Sequence, residues 1–436
     1  MSRRFALSVL LLALLGLAGA PTGAEEPKAG LKEKVKQLVE QLADPDEKKQ
    51  EAAAMELFKL GPAVLPHLPG PGTKLKPAQA RHLAVIRKTL REAQTKKNLA
   101  PKLVTIQDES IPLTKALALL EKQTDVKVKD LRQDQTDVKL KLNLEQATFW
   151  QALDAIAEQA DARIYLYRAD GIALVDGPHV ALPVSYNGIF RVVVKRLLAV
   201  RDLETDARYY VATMEIAWEP RFKPFLIDTR PQALTIKDDK NRELLPPDEG
   251  GSKVPVESPF AMTVDLRLPA VPRAVSKLNL LKGSMVVVGP TQMLEFTFDT
   301  LDVLEKDPKA REQTQDGVTV KLDKPAFEKS RSGAAVWKFG VSLEYPPDGP
   351  DFESFQSWVV HNEIYLVKEG ANERLANNAG YATDNLTKNR ASLTYNFVEE
   401  KKKPLGKPGD WKLVYLTPGA ISEVPVPFEF KDLPLP

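Results

Sequence analysis

LEFTFDTL at residues 294–301 returns as VPFEFKDL at residues 426–433, and the reading of that pair decides the fold. In both blocks large apolar residues alternate with polar ones, Phe296 and Phe298 answering Phe428 and Phe430. This is the period-two pattern of a strand with one face in a core. Three further blocks recur in the same order: GIFRV (188–192) with GVTVK (317–321), ATMEIAWEP (212–220) with FGVSLEYPP (339–347), and ALTIKDDKNREL (233–244) with EIYLVKEGANERL (363–375). Their offsets run from 127 to 132, so the chain from about residue 180 reads as two copies of one all-β unit. Thirty-four prolines and the lack of a long amphipathic pattern there suit edge strands and rigid turns. The expectation is one β-sandwich over 180–305 and a second over 315–436, divided near Glu305 to Gln315.

Upstream the period changes. LVTIQ (103–107) alternates as a strand, Ile111 to Gln123 places Leu113, Ala116, Leu117 and Leu120 on one helical face, and VKLKLNL (138–144) alternates again. Ala147 to Gln159 then presents Phe149, Leu153 and Ile156 together, and RIYLYR with IALVDG forms a hairpin around Ala169, Asp170 and Gly171. The order is β-α-β-β-α-β-β. With ESIPLTKALALLEKQTDV before it, VKLKLNLEQATFWQALDAIAEQADARIYLYRADGIALV makes residues 103–177, within a domain expected over 102–178, resemble the short N-terminal domain shared by secretins and TonB-dependent transducers. The resemblance implies a protein-docking module and no catalysis. Neither a secretin ring nor a transducer plug and barrel follows, so it names no partner. Further upstream, Leu31, Val35, Leu38 and Leu42 share a helical stripe, Asp44-Pro45 breaks it, and Ala53, Leu57 and Leu60 resume it before Gly61-Pro62. LVEQLADPDEKKQEAAAMELFKLGPAVLPHL resembles a HEAT-type helical repeat, and Pro77 to Ala93 adds a helix, giving a helical segment over 25–95. The fold class expected is a multidomain α+β chain: a helical cap, a small β-α-β-β-α-β docking-like domain and two tandem all-β sandwich domains.

Arg3 and Arg4 before an apolar run from Phe5 to Leu17, small residues and then Glu25 and Glu26 form a signal peptide pattern over 1–24. That run is short of the roughly 20 residues a bilayer core requires. The expectation is an exported protein, periplasmic or extracellular, and not integral to a membrane after cleavage. A net charge of +2, which falls to zero without Arg3 and Arg4, gives no field for nucleic acid. The absence of cysteine excludes disulfides, Cys-ligated zinc, iron-sulfur clusters and a thiol nucleophile. None of the four histidines, His67, His82, His179 and His361, has another at metal spacing, and neither a nucleophile elbow nor a phosphate-cradling glycine loop is present. No catalytic residue, cofactor or metal is therefore assigned.

The function these features imply is a non-enzymatic adaptor or scaffold that docks an envelope protein through the docking-like domain and open sheet edges. The alternative is a carbohydrate- or cell-wall-binding module. Trp218, Phe222 and Phe225 follow a strand in copy one, and Tyr345, Phe352, Phe355 and Trp358 follow it in copy two. Exposed, these rings could stack on a glycan or insert into a partner; otherwise they plug the space between sheets beneath a long loop. Two acidic turns, Asp238, Asp239, Asn241 and Glu243, and Asp348, Asp351 and Glu353, carry the oxygens calcium prefers, and are equally ordinary hairpin residues.

Overall fold

The computed structural model describes residues 28–69, 73–168, 170–246, 251–299, 301–331, 333–345, 359, 362–368, 370, 374–387, 389–400 and 404–436. The signal peptide pattern lies outside them. The chain is mixed α+β with several sheets and divides into two compact units: residues up to Pro69 with Lys74–Ile86, and, apart from Gly70–Thr73, Arg87–Pro436. Among the described residues no helix is long and apolar enough to cross a membrane.

The first unit contains α1 (Lys28–Gln41), α2 (Glu47–Leu60) and the opening turns of α3 (Pro77–Asn98). Asp46 starts α2 by accepting the Lys48 N–H, and Gly61 at φ 71° ends it. Val35, Leu38, Val39 and Leu42 bury with Ala53, Leu57, Leu83 and Ile86. The compact part of the helical segment thus stops at Ile86, inside α3, and not at residue 95.

The second unit begins with an α/β module: β1 (Leu103–Pro112), α4 (Leu113–Thr124), β2 (Val128–Asp130), β3 (Lys139–Thr148), α5 (Phe149–Gln159), β4 (Arg163–Tyr165) and β5 (Ile172–Val175). β1 and β3 form an antiparallel ribbon, while β5 lies between parallel β2 and antiparallel β4. The core holds Leu113, Leu117 and Leu120 of α4 with Phe149, Leu153 and Ile156 of α5. It also takes in Ala217 and Ala261 from beyond residue 178. Two alanines of β8 and β12 thus complete the core of the module that precedes them.

The rest of the unit is all β: β6 (Val184–Asn187), β7 (Phe190–Arg201), β8 (Arg208–Trp218), β9 (Leu226–Asp238), β10 (Glu243–Leu244), β11 (Lys253–Pro255), β12 (Ala261–Pro269) and β13 (Lys277–Phe298). After a short helix, α6 (Leu301–Lys306), come β14 (Glu312–Gln315), β15 (Val318–Leu322), β16 (Ala326–Lys329), β17 (Ala335–Glu344), β18 (Glu363–Lys368), β19 (Arg374–Ala376), β20 (Tyr381–Thr387), β21 (Arg390–Val398) and β22 (Trp411–Pro434). One sheet runs β12-β8-β7-β6 and another β14-β15-β17-β21-β20. Tight turns set the β6/β7 and β14/β15 hairpins: Gly188-Ile189 in the first, with Gly188 at φ 56°, and Asp316 at φ 48° with Gly317 at φ 81° in the second, the left-handed pair a type I′ turn demands.

The third sheet corrects the expected division near Glu305 to Gln315. Its order, β10-β9-β13-β22-β18-β19, reads the same from both ends if each strand of one half is exchanged for its counterpart. β13 and β22 pair antiparallel from Lys277 opposite Pro434 to Phe298 opposite Leu413, and each runs through both sandwiches. Leu294, Phe296 and Phe298, from the first half, bury in the core of the second sandwich with Phe339, Leu393 and Tyr415. Val424, Val426, Phe428, Phe430 and Leu433, from the chain's end, bury in the core of the first with Met214, Trp218 and Leu281. Each sandwich is completed by a strand from the other.

The exchanged ends are finished at their outer edges. The Glu429 N–H donates to Ser185 Oγ of β6 and so points away from β13. Pro427 and Pro425, two and four residues earlier, face the same way, and having no N–H they leave that edge poor in donors for a further strand. On the other exchanged end, the Glu295 and Thr297 carbonyls accept the side-chain amides of Gln315 and Gln313, from β14.

Candidate docking interface

α5 positions the α/β module. Thr148 and Gln151 close a capping box at its start, and Ala152, Leu153 and Ile156 seat it on the module core. Trp150 and Asp154, four residues apart, share another stripe, which turns toward the sheet of β7 and β8. The Trp150 indole N–H donates to the Ile189 carbonyl at 2.9 Å, an oxygen that also accepts the Glu219 N–H. Asp154 takes both prongs of Arg191, Nε and Nη2, at 2.8 Å each, and accepts the Tyr186 hydroxyl at 2.6 Å.

The network continues across the sheet face. Glu215, nearly fully buried, holds Lys195 at 3.0 Å and lies 3.6 Å from Arg191, and its other oxygen accepts the Tyr167 hydroxyl at 2.8 Å. Burial pushes the Tyr186 and Tyr167 phenols up, Tyr167 to about 12, so both remain donors throughout the physiological range. Burial pulls the Arg191 guanidinium down, yet Asp154 and Glu215 outweigh it and the guanidinium rises. Bidentate, charge-assisted pairs of this kind fix orientation as well as distance. Ala212, Met214, Ile216 and Trp218 of β8 face the sandwich core, Ala217 and Glu215 face the module, and the sheet is therefore buried on both sides there.

With α5 turned inward, the module shows solvent its ribbon and the outer face of α4. Thr105, Gln107, Glu109, Lys139, Lys141 and Asn143 are exposed along β1 and β3, and Lys127 is exposed after α4. No third strand joins this ribbon among the described residues. Each edge carries a plug: Gln123 bonds both the N–H and the C=O of Thr105, and Gln159 does the same for Lys141.

The aromatic residues are placed differently from an exposed stacking platform. Trp218 is fully buried and donates to the Pro259 carbonyl, Phe222 is buried edge-on against Phe190, and Tyr345 is buried with its hydroxyl at Thr417 and the Pro418 carbonyl. Phe225 is half-buried against the second core. Trp218, Phe222 and Tyr345 are core residues, for which the glycan-stacking reading is corrected, and Phe225 packs on the rim of a core. Phe352, Phe355 and Trp358 lie outside the described residues, as do Asp348, Asp351, Glu353 and His361. In the other acidic turn, Asp238 is buried with its oxygens taken by the Lys240 and Arg242 N–H groups and the Arg242 guanidinium, a hairpin built on its own aspartate. His82 is bonded to Gln50, and His67 and His179 lie far apart in the sequence.

One buried carboxylate outside the network is poorly satisfied. Glu219 is fully buried; one oxygen meets Arg221 Nε at 2.7 Å and the other has no hydrogen-bond partner. Burial raises its pKa above the usual 4.5, against the pull of Arg221 and Lys102. A carboxyl whose folded pKa exceeds its unfolded value favours folding most below about pH 4.5 and loses that contribution as pH rises through the folded pKa. Glu219→Gln should therefore raise the melting temperature at pH 7 by a few degrees and flatten its dependence between pH 4 and 7. Melts across that range check it; a variant less stable at pH 7 with an unchanged slope would contradict it.

Searches of family models, of curated proteins and of solved structures give no match to this chain.

Proposed function

We propose that this protein is an exported, non-enzymatic adaptor that presents its α/β module, on a rigid double-sandwich mount, to a protein partner in the cell envelope. The observation that carries the reading is the asymmetry of the module. Its α5 face is committed to the mount through Trp150, Asp154 and Tyr167, whereas the β1/β3 ribbon is open to solvent. A module hung on a flexible linker loses orientational freedom when it binds; one bolted to a scaffold has lost it already, and preorganisation of this kind favours affinity. Ribbon edges offer backbone groups for strand addition, with Lys139, Lys141 and Glu109 to select the partner. The signal peptide pattern and the resemblance to secretin and transducer docking domains support the same reading.

The test is an in-cell photo-crosslink from Lys127 or Lys139. One defined envelope protein captured from both positions, and not from a probe on the sandwiches, is the expected result. No protein captured from envelope fractions of cells that export the chain would contradict the proposal.

A further inference from the structure

The crossing point of β13 and β22 is where the register of their long ladder shifts. Pro290 pairs with Ile421, Gln292 with Ala420 and Met293 with Pro418, so Thr291 on one strand and Gly419 on the other are bulged out. Prolines flank both bulges. A Cβ at Gly419 would lie 2.7 Å from the Leu294 side chain, which keeps the position glycine. The ladder is thus regular within each sandwich and interrupted between them.

Beyond the crossing, residues 420–436 form an arm with two properties. It lies at a sheet edge, held on one side by β13 and carrying donor-poor prolines on the other. It inserts Val424, Val426, Phe428, Phe430 and Leu433 into a core built by residues far earlier in the chain. The crossing is also latched from outside: Asn98 at the end of α3 donates to the Thr291 carbonyl at 2.7 Å, and Thr95 reaches Thr291 Oγ1 at 3.3 Å and Ser422 Oγ at 3.0 Å.

We propose that residues 420–436 are an exchangeable strand whose partner is a second copy of this chain, the arm of each copy closing the first sandwich of the other. The groove already fits this sequence in this register, so a second copy supplies every buried side chain and ladder bond of the closed monomer. Only backbone angles at the two crossing segments, 289–292 and 418–420, change. Mutual exchange closes as a two-fold dimer, and Pro425 and Pro427 disfavour growth past it by strand addition. Because the contacts are conserved, the balance between monomer and dimer is set by chain concentration and by the Asn98 latch.

The sequence has no cysteine, which makes a clean test available. Lys282 and Glu429 face each other across the ladder, exposed, with Nζ and Oε2 3.0 Å apart. Full chains carrying Lys282→Cys and Glu429→Cys under different tags are mixed, unfolded, refolded together at high concentration and oxidised with glutathione. The proposal expects the mixed disulfide dimer to exceed both same-variant dimers several-fold, to rise with concentration, and to rise several-fold again when both chains carry Asn98→Ala. A chain carrying both cysteines, refolded dilute, gives the internally linked monomer and shows that the pair can bond. A mixed dimer no more abundant than the same-variant dimers at every concentration, with or without Asn98→Ala, would overturn the proposal.

Discussion

Deleting residues 420–436 is expected to unfold the first sandwich, residues 184–288, while leaving the second folded. The arm supplies Val424, Val426, Phe428, Phe430 and Leu433, all but inaccessible to solvent, to a core whose other members lie far upstream. At about 1.5–3 kcal/mol for each buried side chain, their loss matches the roughly 5–15 kcal/mol that keeps a typical domain folded. The second sandwich keeps β13 from Leu294 to Phe298 and β22 from Trp411 to Pro418. Limited proteolysis should therefore cut first between β6 and β13. If the two sandwiches were independent and divided near Glu305 to Gln315, the same deletion would instead damage the second one.

Asp154→Ala is expected to cost about 3–5 kcal/mol, the range seen when one partner of a buried pair is removed and the other stays charged. Arg191 and Asp154 side chains are 11% and 15% exposed, and the lost carboxylate leaves Arg191 and the Tyr186 hydroxyl without their principal acceptor. Asp154→Asn, which keeps an acceptor oxygen, should cost less. Chemical denaturation of the two variants, of Arg191→Ala and of the double variant Asp154→Ala/Arg191→Ala completes a cycle; a coupling of at least 1.5 kcal/mol is expected for a bidentate charged pair. Additive single effects would mean that the Asp154–Arg191 pair does not hold the module to the mount.

Much of this fold is legible in the sequence because burial imposes a period. The alternation in VKLKLNL and LEFTFDTL marks strands, and the spacing of Leu113, Leu117 and Leu120 marks α4. Alternation states that a face is buried and is silent about what buries it. Phe296 and Phe428 therefore look alike, and nothing in either block says that each belongs to the opposite sandwich. Trp218 and Tyr345 read ambiguously for the same reason: a ring at the end of a strand is equally well placed over a core or beside a loop.

The network around Asp154 left one local signal, a carboxylate on the same stripe of α5 as Trp150. Its partners Arg191, Tyr186, Tyr167 and Glu215 come from four other segments, and no spacing rule joins them. Acidic clusters such as Asp238 and Asp239 attract notice because their members are adjacent, although adjacency there reflects a hairpin capping itself.

Hydrogen exchange on the intact and arm-deleted chains tests the shared-strand architecture most directly. In the intact chain, amides of β22 beyond Ala420 should be protected to the same degree as those of β7, β8 and β13; deletion of the arm should abolish protection in β7 and β8 and preserve it in β17 and β21. Protection in β7 and β8 that survives the deletion would contradict the claim that each sandwich is closed by a strand of the other.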